Sequence, residues 1–296
     1  MDLTRHNDSL QRFLFEQAAI RGEVVHLDAT WQEVLRRQDY PTVVRDLLGE
    51  LTAAAALLSS TLKYEGSLTL QIEGKGPLYM MVVECTSERT IRALARWAGE
   101  VPAGSLRQAT GEGRLAITIE PRHSPERYQG IVSLEGDTLA EALQEYLMRS
   151  EQLDTRLWLT ATPQGAAGML LQRLPRDHSG EDPDIWNRAQ MLAETVKREE
   201  LLELHPLQLV RRLFHEEDVR LFEPEPMSFR CSCSRERVSA MLRGLGHEEV
   251  QSIIEEQSKV EVTCEFCGAT YRFDPVDAEQ LFAADASAPP VPPTRH

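Results

Sequence analysis

Basic side chains, long apolar runs and cysteine are all scarce in this sequence of 296 residues. Lys and Arg number 32 against 47 Asp and Glu, and the net charge of −15 disfavours a nucleic-acid groove, because clustered cations must meet the phosphates. No apolar run is long enough to cross a bilayer, and residues 1–6 lack the apolar core of a signal peptide. We therefore expect a cytoplasmic protein that binds neither membrane nor nucleic acid.

Four of the five cysteines form two close pairs, Cys231-Ser-Cys233 and Cys264-Glu-Phe-Cys267, with thirty residues between the pairs. In a reducing compartment, grouped cysteines indicate metal or redox chemistry rather than a disulfide framework. Each pair can supply two thiolates from a short turn, which is what one tetrahedral metal ion needs. Four sulfur ligands make zinc the expected ion, with iron the rarer choice.

The spacing of the two pairs leaves two interpretations open. The C-x-x-C turn followed by Gly268 is typical of a zinc site, since glycine permits the tight bend. A C-x-C pair is unusual in a structural site, and its sulfurs are close enough to bond each other once the metal leaves. The same four residues are consistent with a purely structural zinc site, and also with a site that forms two disulfides once the metal leaves.

Residues 1–178 mix strand and helix patterns without βαβ regularity, which predicts an α+β fold. Alternating or short apolar runs predict strands near residues 23–27, 68–72, 78–83, 115–119, 131–134, 157–159 and 168–174, while 91–97 is ambiguous between helix and strand. One segment is apolar on nearly its whole helical surface, which predicts a central helix covered by sheet. Its apolar residues are Val43, Val44, Leu47, Leu48, Leu51, Ala53 to Ala56, Leu57, Leu58 and Leu62.

No catalytic constellation emerges from this half of the chain. His26, His123 and His178 stand alone, and each is better interpreted as a core or surface histidine than as a ligand. Cys85 lies beside a run of valines, which favours a small buried thiol over a reactive one.

The composition changes at Ser179-Gly-Glu-Asp-Pro183, which marks a boundary. Residues 179–228 then carry helical patterns that have apolar stripes but little core of their own. Such helices must lie against a neighbour to be stable. They are consistent with an ordinary helical linker, and equally with a conditional one that is folded only while the metal-binding unit beside it is folded.

The sequence predicts a small folded unit over residues 229–275, which contains both cysteine pairs. Ser234 is placed to cap a helix that ends at Gly246, and Val260 begins a strand that leads into the second pair. Because so small a unit rarely holds together without metal or disulfides, we expect metal binding to be coupled to folding. We predict a disordered tail over residues 276–296, which end in a proline-rich stretch.

Several motifs together resemble one protein family over nearly the full length. They are Cys231-Ser-Cys-Ser-Arg-Glu-Arg237, Cys264-Glu-Phe-Cys-Gly268, Arg127-Tyr-Gln-Gly-Ile131, Leu134-Glu-Gly-Asp-Thr138, Tyr146-Leu-Met-Arg-Ser-Glu-Gln-Leu153, Gly168-Met-Leu-Leu-Gln172 and Phe214-His-Glu-Glu217. The sequence is similar to the redox-regulated heat-shock chaperones of bacteria, the thirty-three-kilodalton heat shock protein family. The four cysteines of the pairs match that pattern, whereas Cys85 lies outside it and gains no role from the resemblance.

The resemblance implies a holdase that works without ATP. In the reduced state Cys231, Cys233, Cys264 and Cys267 would hold Zn2+, and the protein would be inactive. Peroxide or hypochlorite would form the disulfides Cys231–Cys233 and Cys264–Cys267 and release zinc. The linker would then unfold and expose surface that binds unfolding client proteins. Activated family members form homodimers and pass clients to an ATP-dependent Hsp70-type refolding system. The implied fold is a β/α/β core around a buried helix, a helical linker and a small zinc-binding domain.

Two other functions remain as alternatives. A thiol-disulfide oxidoreductase would use Cys264 and Cys267, and its C-x-x-C motif should begin a helix that follows a strand. A zinc-ribbon module that binds nucleic acid is the other alternative, and the acidity of the chain disfavours it. Otherwise we expect a non-enzymatic chaperone.

Overall fold

The structure is a computed structural model, and it describes residues 8–61, 65–124, 126–175 and 182–283. Leu62 and His178, both named above, lie outside the described residues. The chain separates into two compact units, Met1–Arg230 and Cys231–His296. Helices and strands are mixed in both units, and the predicted α+β class is confirmed.

Two largely antiparallel sheets build the first unit. The first sheet has the order β10-β1-β2-β9-β8, with β11 also paired to β1, and the second has the order β12-β5-β4-β3-β6-β7. The stretch that was ambiguous in the sequence is strand β5. The strands are β1 Ser9–Phe15, β2 Ile20–Leu27, β3 Gly66–Gly74, β4 Leu78–Thr86, β5 Thr90–Trp97, β6 Gly113–Pro121, β7 Tyr128–Ser133, β8 Thr155–Ala161, β9 Ala166–Arg173, β10 Val219–Leu221, β11 Glu225–Pro226 and β12 Ser228–Phe229.

Helix α2, Thr42–Thr61, lies between the two sheets, as its apolar surface predicts. It contacts β2, β8 and β9 of the first sheet and β3, β4 and β5 of the second. Its alanines, Ala53 to Ala56, are fully buried, because small side chains let strands approach from both sides. Gly49 is required for the same reason, since a Cβ there would lie 2.4 Å from Cβ of Ala161. The predicted β/α/β core is confirmed.

Three further helices, α1 Ala29–Leu35, α3 Leu106–Thr110 and α4 Leu139–Glu151, complete the core of the first unit. The N-terminus of α4 has a capping box: Thr138 accepts a hydrogen bond from the Glu141 backbone, and the Glu141 side chain accepts one from Thr138. None of the helices in the part of the chain that the structure describes combines the length and the apolar character that crossing a bilayer requires.

Three short helices, α5 Ile185–Ala193, α6 Arg198–Glu203 and α7 Pro206–Phe214, follow the boundary near residue 180. We call them the linker helices. Their apolar stripes pack on the face of the first sheet opposite α2, in a core that includes Phe13, Phe15 and Met169. The sequence predicted that these helices need a neighbour, and within the first unit that neighbour is the N-terminal sheet.

Residues 219–230, which we call the strap, join the linker helices to Cys231. Strands β10 and β11 of the strap pair with β1, and β12 pairs with β5 of the second sheet. The carboxylate of Glu225 forms two ion pairs. Its Oε1 lies 2.7 Å from Nη2 of Arg12, and its Oε2 lies 2.6 Å from Nε of Arg89. Because Arg12 belongs to one sheet and Arg89 adjoins the other, the Glu225 carboxylate fastens the strap to both.

The second unit contains helices α8 Arg235–Leu245, α9 His247–Gln257 and α10 Pro275–Ala283 and a hairpin of β13 Val260–Thr263 and β14 Thr270–Phe273. Ser234 caps α8 by accepting a hydrogen bond from the Arg237 backbone, as predicted. The prediction that residues 276–296 are disordered is wrong for residues 276–283, which belong to α10. This helix packs on the small core of the second unit through the buried residues Ala278 and Leu281. Residues 284–296 of that tail lie outside the described part of the chain.

Candidate metal centre

The first cysteine pair lies between β12 and the start of α8. Cys231 and Cys233 are in extended, irregular backbone, and the capped first turn of α8 follows at once. The cap fixes the direction of the chain after Cys233, because the hydrogen bond from the Arg237 N–H to the Ser234 side chain keeps Ser234 extended at the start of the helix.

The second pair occupies the turn of the β13–β14 hairpin. The Cys264 backbone N–H donates to the Ala269 carbonyl over 2.9 Å, and the Gly268 N–H donates to the Cys264 carbonyl over 2.8 Å. Gly268 has a φ of 70°, in the left-handed region that glycine adopts without strain. The hairpin therefore fixes both thiols on one tight bend, as the C-x-x-C-G motif predicts.

The four sulfur atoms converge within 4.8 Å of one another. Cys231 Sγ lies 3.6 Å from Cys264 Sγ, and Cys233 Sγ lies 3.3 Å from Cys267 Sγ. A tetrahedral ion with Zn–S bonds of about 2.3 Å needs sulfurs about 3.8 Å apart. Both distances are far longer than the roughly 2.05 Å of a disulfide bond, so the cluster has the dimensions of a ligand shell rather than of two disulfides. A single metal ion fits these residues.

Tyr271 contributes a hydroxyl to the cluster, donating a hydrogen bond from Oη to Cys233 Sγ over 3.1 Å. Burial acts to raise the pKa of the Cys233 thiol, but hydrogen bonds from Tyr271 and the neighbouring cysteines outweigh it and lower the pKa to about 7. Burial raises the pKa of Cys267 to about 12, and its contact with Cys233 acts in the same direction. A thiolate in the cluster thus disfavours ionisation of the next thiol. A bound divalent cation would instead favour the thiolate form of all four.

The sequence did not identify Tyr271 as a member of the site. It lies four residues after Cys267, and the hairpin returns it toward the first pair. A tyrosine on a strand is normally interpreted as a packing residue. Only the position of Cys233, thirty-eight residues earlier, gives its hydroxyl a role.

Cys85, which the sequence left without a role, lies on β4 of the first unit and is fully buried in its core. Burial raises the pKa of its thiol to about 11. A buried neutral thiol is a poor nucleophile, which agrees with the expected packing role.

The C-x-x-C motif does not have the setting that a thioredoxin-like oxidoreductase needs. Cys264 and Cys267 lie in the turn between two antiparallel strands, and no helix begins at Cys267. The geometry therefore gives no support to the oxidoreductase alternative.

The comparisons with known proteins identify the family. The family model described as Hsp33 protein matches residues 8–274. The chain belongs to the Hsp33 family. It is 52% identical to the 33 kDa chaperonin of Methylobacillus flagellatus over 284 residues, covering 96% of this chain and 97% of that protein. It is 55% identical to the 33 kDa chaperonin of Nitrosococcus oceani over 291 residues, covering 98% and 99% respectively.

A solved structure shows the same fold. The crystal structure of the 33 kDa chaperonin of Thermotoga maritima superposes with a TM-score of 0.81 at 23% identity, and the match covers 95% of this chain and all of that one. The fold has thus been kept while about three quarters of the aligned residues differ. The resemblance carried by the motifs is confirmed, and the names of the relatives support a chaperone.

Proposed function

We propose that this protein is a redox-regulated, ATP-independent holdase whose four cysteines bind one Zn2+ ion in the reduced state. The convergence of four sulfurs within 4.8 Å, in a member of the Hsp33 family, carries the proposal. The described core of the second unit has only eight buried apolar residues, from Val238 to Leu281. Zinc binding supplies about 10–16 kcal/mol in small domains, so the ion would stabilise most of this fold.

Oxidation would reverse that stabilisation. Peroxide converts one thiolate to a sulfenic acid, and a second thiolate attacks that sulfur to form a disulfide with loss of water. The proposed pairs Cys231–Cys233 and Cys264–Cys267 come with the family resemblance. Each disulfide joins two cysteines that are only two or three residues apart in the sequence, so neither requires the second unit to stay folded. Two disulfides would remove all four thiolates, and the zinc ion would leave.

The proposed division of the chain is a client-binding core over residues 1–178, a linker over 179–228, and a redox-switch domain over 229–275, which helix α10 extends to residue 283. Unfolding of the switch domain would remove the folded anchor that follows the strap. The linker helices would then leave the first sheet and expose apolar residues of that face, among them Phe13, Phe15 and Met169. An exposed apolar surface of this kind is what binds unfolding clients.

The remaining parts of the proposal concern partners and location. We propose that the oxidised protein forms a homodimer, works in the cytoplasm, and passes clients to an Hsp70-type refolding system. Acidic residues outnumber basic ones in the second unit as in the whole chain, which opposes the nucleic-acid alternative.

Zinc content, free thiols and client aggregation should be measured together before and after peroxide. We expect one zinc ion and five thiols in the reduced, idle protein, and no zinc and one thiol in the oxidised, active protein. Cys233→Ser should lose zinc when reduced, whereas Cys85→Ser, the matched control, should bind zinc and activate normally. If the reduced, metal-free protein is as compact and as idle as the zinc form, the proposal is wrong.

A further inference from the structure

Strand β7, residues Tyr128–Ser133, ends the second sheet. It pairs with β6 on one side, and the described part of the chain places no strand on the other. The register shows which backbone groups this leaves open. The Leu134 N–H donates to the Gly113 carbonyl over 2.9 Å, continuing the pairing of Ser133 with Arg114.

Hydrogen-bonded pairs alternate along an antiparallel ladder. Counting back from Leu134, the residues bonded to β6 are Val132, Gly130 and Tyr128. The backbone N–H and carbonyl groups of Gln129, Ile131 and Ser133 therefore point away from the sheet. These six groups form a regular row of donors and acceptors, because the β6–β7 register has no bulge.

The β7 edge lacks the devices that normally protect a sheet edge, which are charges, prolines, bulges and very short strands. Its sequence is Tyr-Gln-Gly-Ile-Val-Ser, without a charged residue or proline. The other edge strands of the two sheets in the first unit are protected: β8 contains Arg156, β10 contains Arg220, β11 contains Glu225, and β12 has two residues.

An apolar cleft of about 410 Å³ opens beside the first half of β7. Tyr128, Gln129 and Gly130 form one rim, and the walls include Leu58, Leu68, Ile117, Ile119, Leu147 and Leu153. A Cβ at position 130 would lie 2.6 Å from Tyr146 Oη, so glycine lets the strand lie against that wall. Tyr128 is 63% exposed on the side of the cleft and Ile131 is 55% exposed on the opposite face of the strand, so both faces of the edge carry apolar surface.

We propose that the β7 edge binds an extended segment of an unfolding client as an added strand, with one apolar client side chain in the adjoining cleft. The proposal rests on the proposed chaperone function and adds a backbone contact to the sheet face that oxidation would expose, so the edge alone does not hold a client in the reduced protein. Addition of a strand to an open edge draws affinity from the backbone and specificity from a neighbouring pocket, which suits a binder of many sequences. A second copy of this chain is the other possible occupant, and the experiment below separates it from a client by its dependence on protein concentration.

Hydrogen exchange of the backbone amides tests whether a client pairs with the outward N–H groups of β7. It should be measured residue by residue on the oxidised full-length protein, with and without a reduced, unfolded model client. We expect the client to slow exchange at 129, 131 and 133 by at least about tenfold, and to change 128, 130 and 132 much less, since those amides already bond to β6. If the client is held but these three amides are unchanged, the proposal is overturned. If the same slowing appears without client and grows with protein concentration, a second copy occupies the edge and the proposal is also overturned.

Two variants at one exposed position separate backbone from side chain. Ile131→Pro removes an outward N–H and should weaken client binding by about tenfold, the effect of one lost hydrogen bond. Ile131→Thr keeps that N–H and a β-branched side chain, and should bind within about threefold of the parent. A benzoylphenylalanine at Tyr128 should cross-link to the client, whereas one at Tyr79, exposed on β4 of the same sheet, should not. Equal weakening by both variants, or equal cross-linking from both sites, would count against strand addition.

These outcomes remain distinct from a failure of the chaperone function itself. That failure would appear in the parent protein, as unchanged client aggregation after oxidation with zinc fully released. A parent that suppresses aggregation, together with an Ile131→Pro variant that binds client equally well, would leave the function intact and remove the β7 edge from it.

Discussion

Phe214 offers the sharpest test of whether the linker helices hold the protein inactive. It ends α7 and is 2% exposed, with its ring centroid 5.8 Å from Phe13 and 5.2 Å from Phe15. Truncating a buried Phe to Ala costs about 3–5 kcal/mol. Because Phe214 is on a linker helix and both ring partners are on β1, most of that cost should fall on docking of the linker rather than on the sheet.

A loss of 3–5 kcal/mol changes a docking equilibrium by about two to three and a half powers of ten. We therefore expect Phe214→Ala to suppress client aggregation while still reduced and zinc-bound. Hydrogen exchange should show α5 to α7 opening while the second unit stays protected, and metal analysis should still find one zinc ion. Light scattering of an unfolding client provides the activity measurement.

Two variants control for a general loss of stability. Phe214→Leu keeps most of the apolar volume and should cost less than about 1.5 kcal/mol, so it should be only partly active. Leu70→Ala removes a fully buried side chain from the core around α2, away from the linker helices, and should lower the free energy of unfolding without activating the protein. If Phe214→Ala opens the linker helices yet stays idle, or if Leu70→Ala is equally active, exposure of the sheet face is not what activates the protein.

Three further substitutions probe separate parts of the protein. Tyr271→Phe removes the hydrogen bond to Cys233, and chelator competition should show zinc affinity falling about 10- to 100-fold. Burial raises the pKa of Glu50 to about 7. Between about pH 4.5 and 7 the folded protein therefore keeps a proton that the unfolded chain has lost. The contribution of Glu50 should lower the free energy of unfolding by up to about 3 kcal/mol as the pH rises to 7. Glu50→Gln should remove the Glu50 share of that fall in urea titrations, and the buried Glu23, whose pKa burial also raises to about 7, should keep its own share. Glu225→Gln should weaken the strap by about 1–3 kcal/mol and lower the peroxide dose that activates the protein.

The parts of the fold that follow from local pattern could be predicted from the sequence. Helix α2 is apolar on all sides, and only burial between layers accommodates such a helix. Strand β3 alternates between buried and less buried residues over 67–73, β4 does so over 81–86, and β6 only over 115–117. The cysteine cluster could be predicted for a different reason: a metal site needs its ligands at fixed short spacings, and those spacings are written in the chain.

The parts that depend on distant partners could not be predicted. The apolar stripes of α5 to α7 show that a neighbour covers them, but not that the neighbour is the face of β1, β2 and β9. Glu50 looks like a solvated side chain on a helix, and only the packed layers around α2 bury it. Helix α10 was missed because its stripe is short and the proline-rich stretch after it dominates the composition.

The strap would carry the proposed change at the cysteines to helices that pack on a different core. Cys231 directly follows Arg230, whose N–H donates to the Ile91 carbonyl over 3.0 Å, and β12 before it has only two residues. So short a strand is stable only while the chain on both sides of it is held. In the proposed switch, unfolding from Cys231 onward would free one side, and Met227 and Glu225 would then carry the remaining attachment. The oxidant threshold should therefore depend on the strap as much as on the thiols, so that substitutions in the strap shift activation without altering zinc affinity.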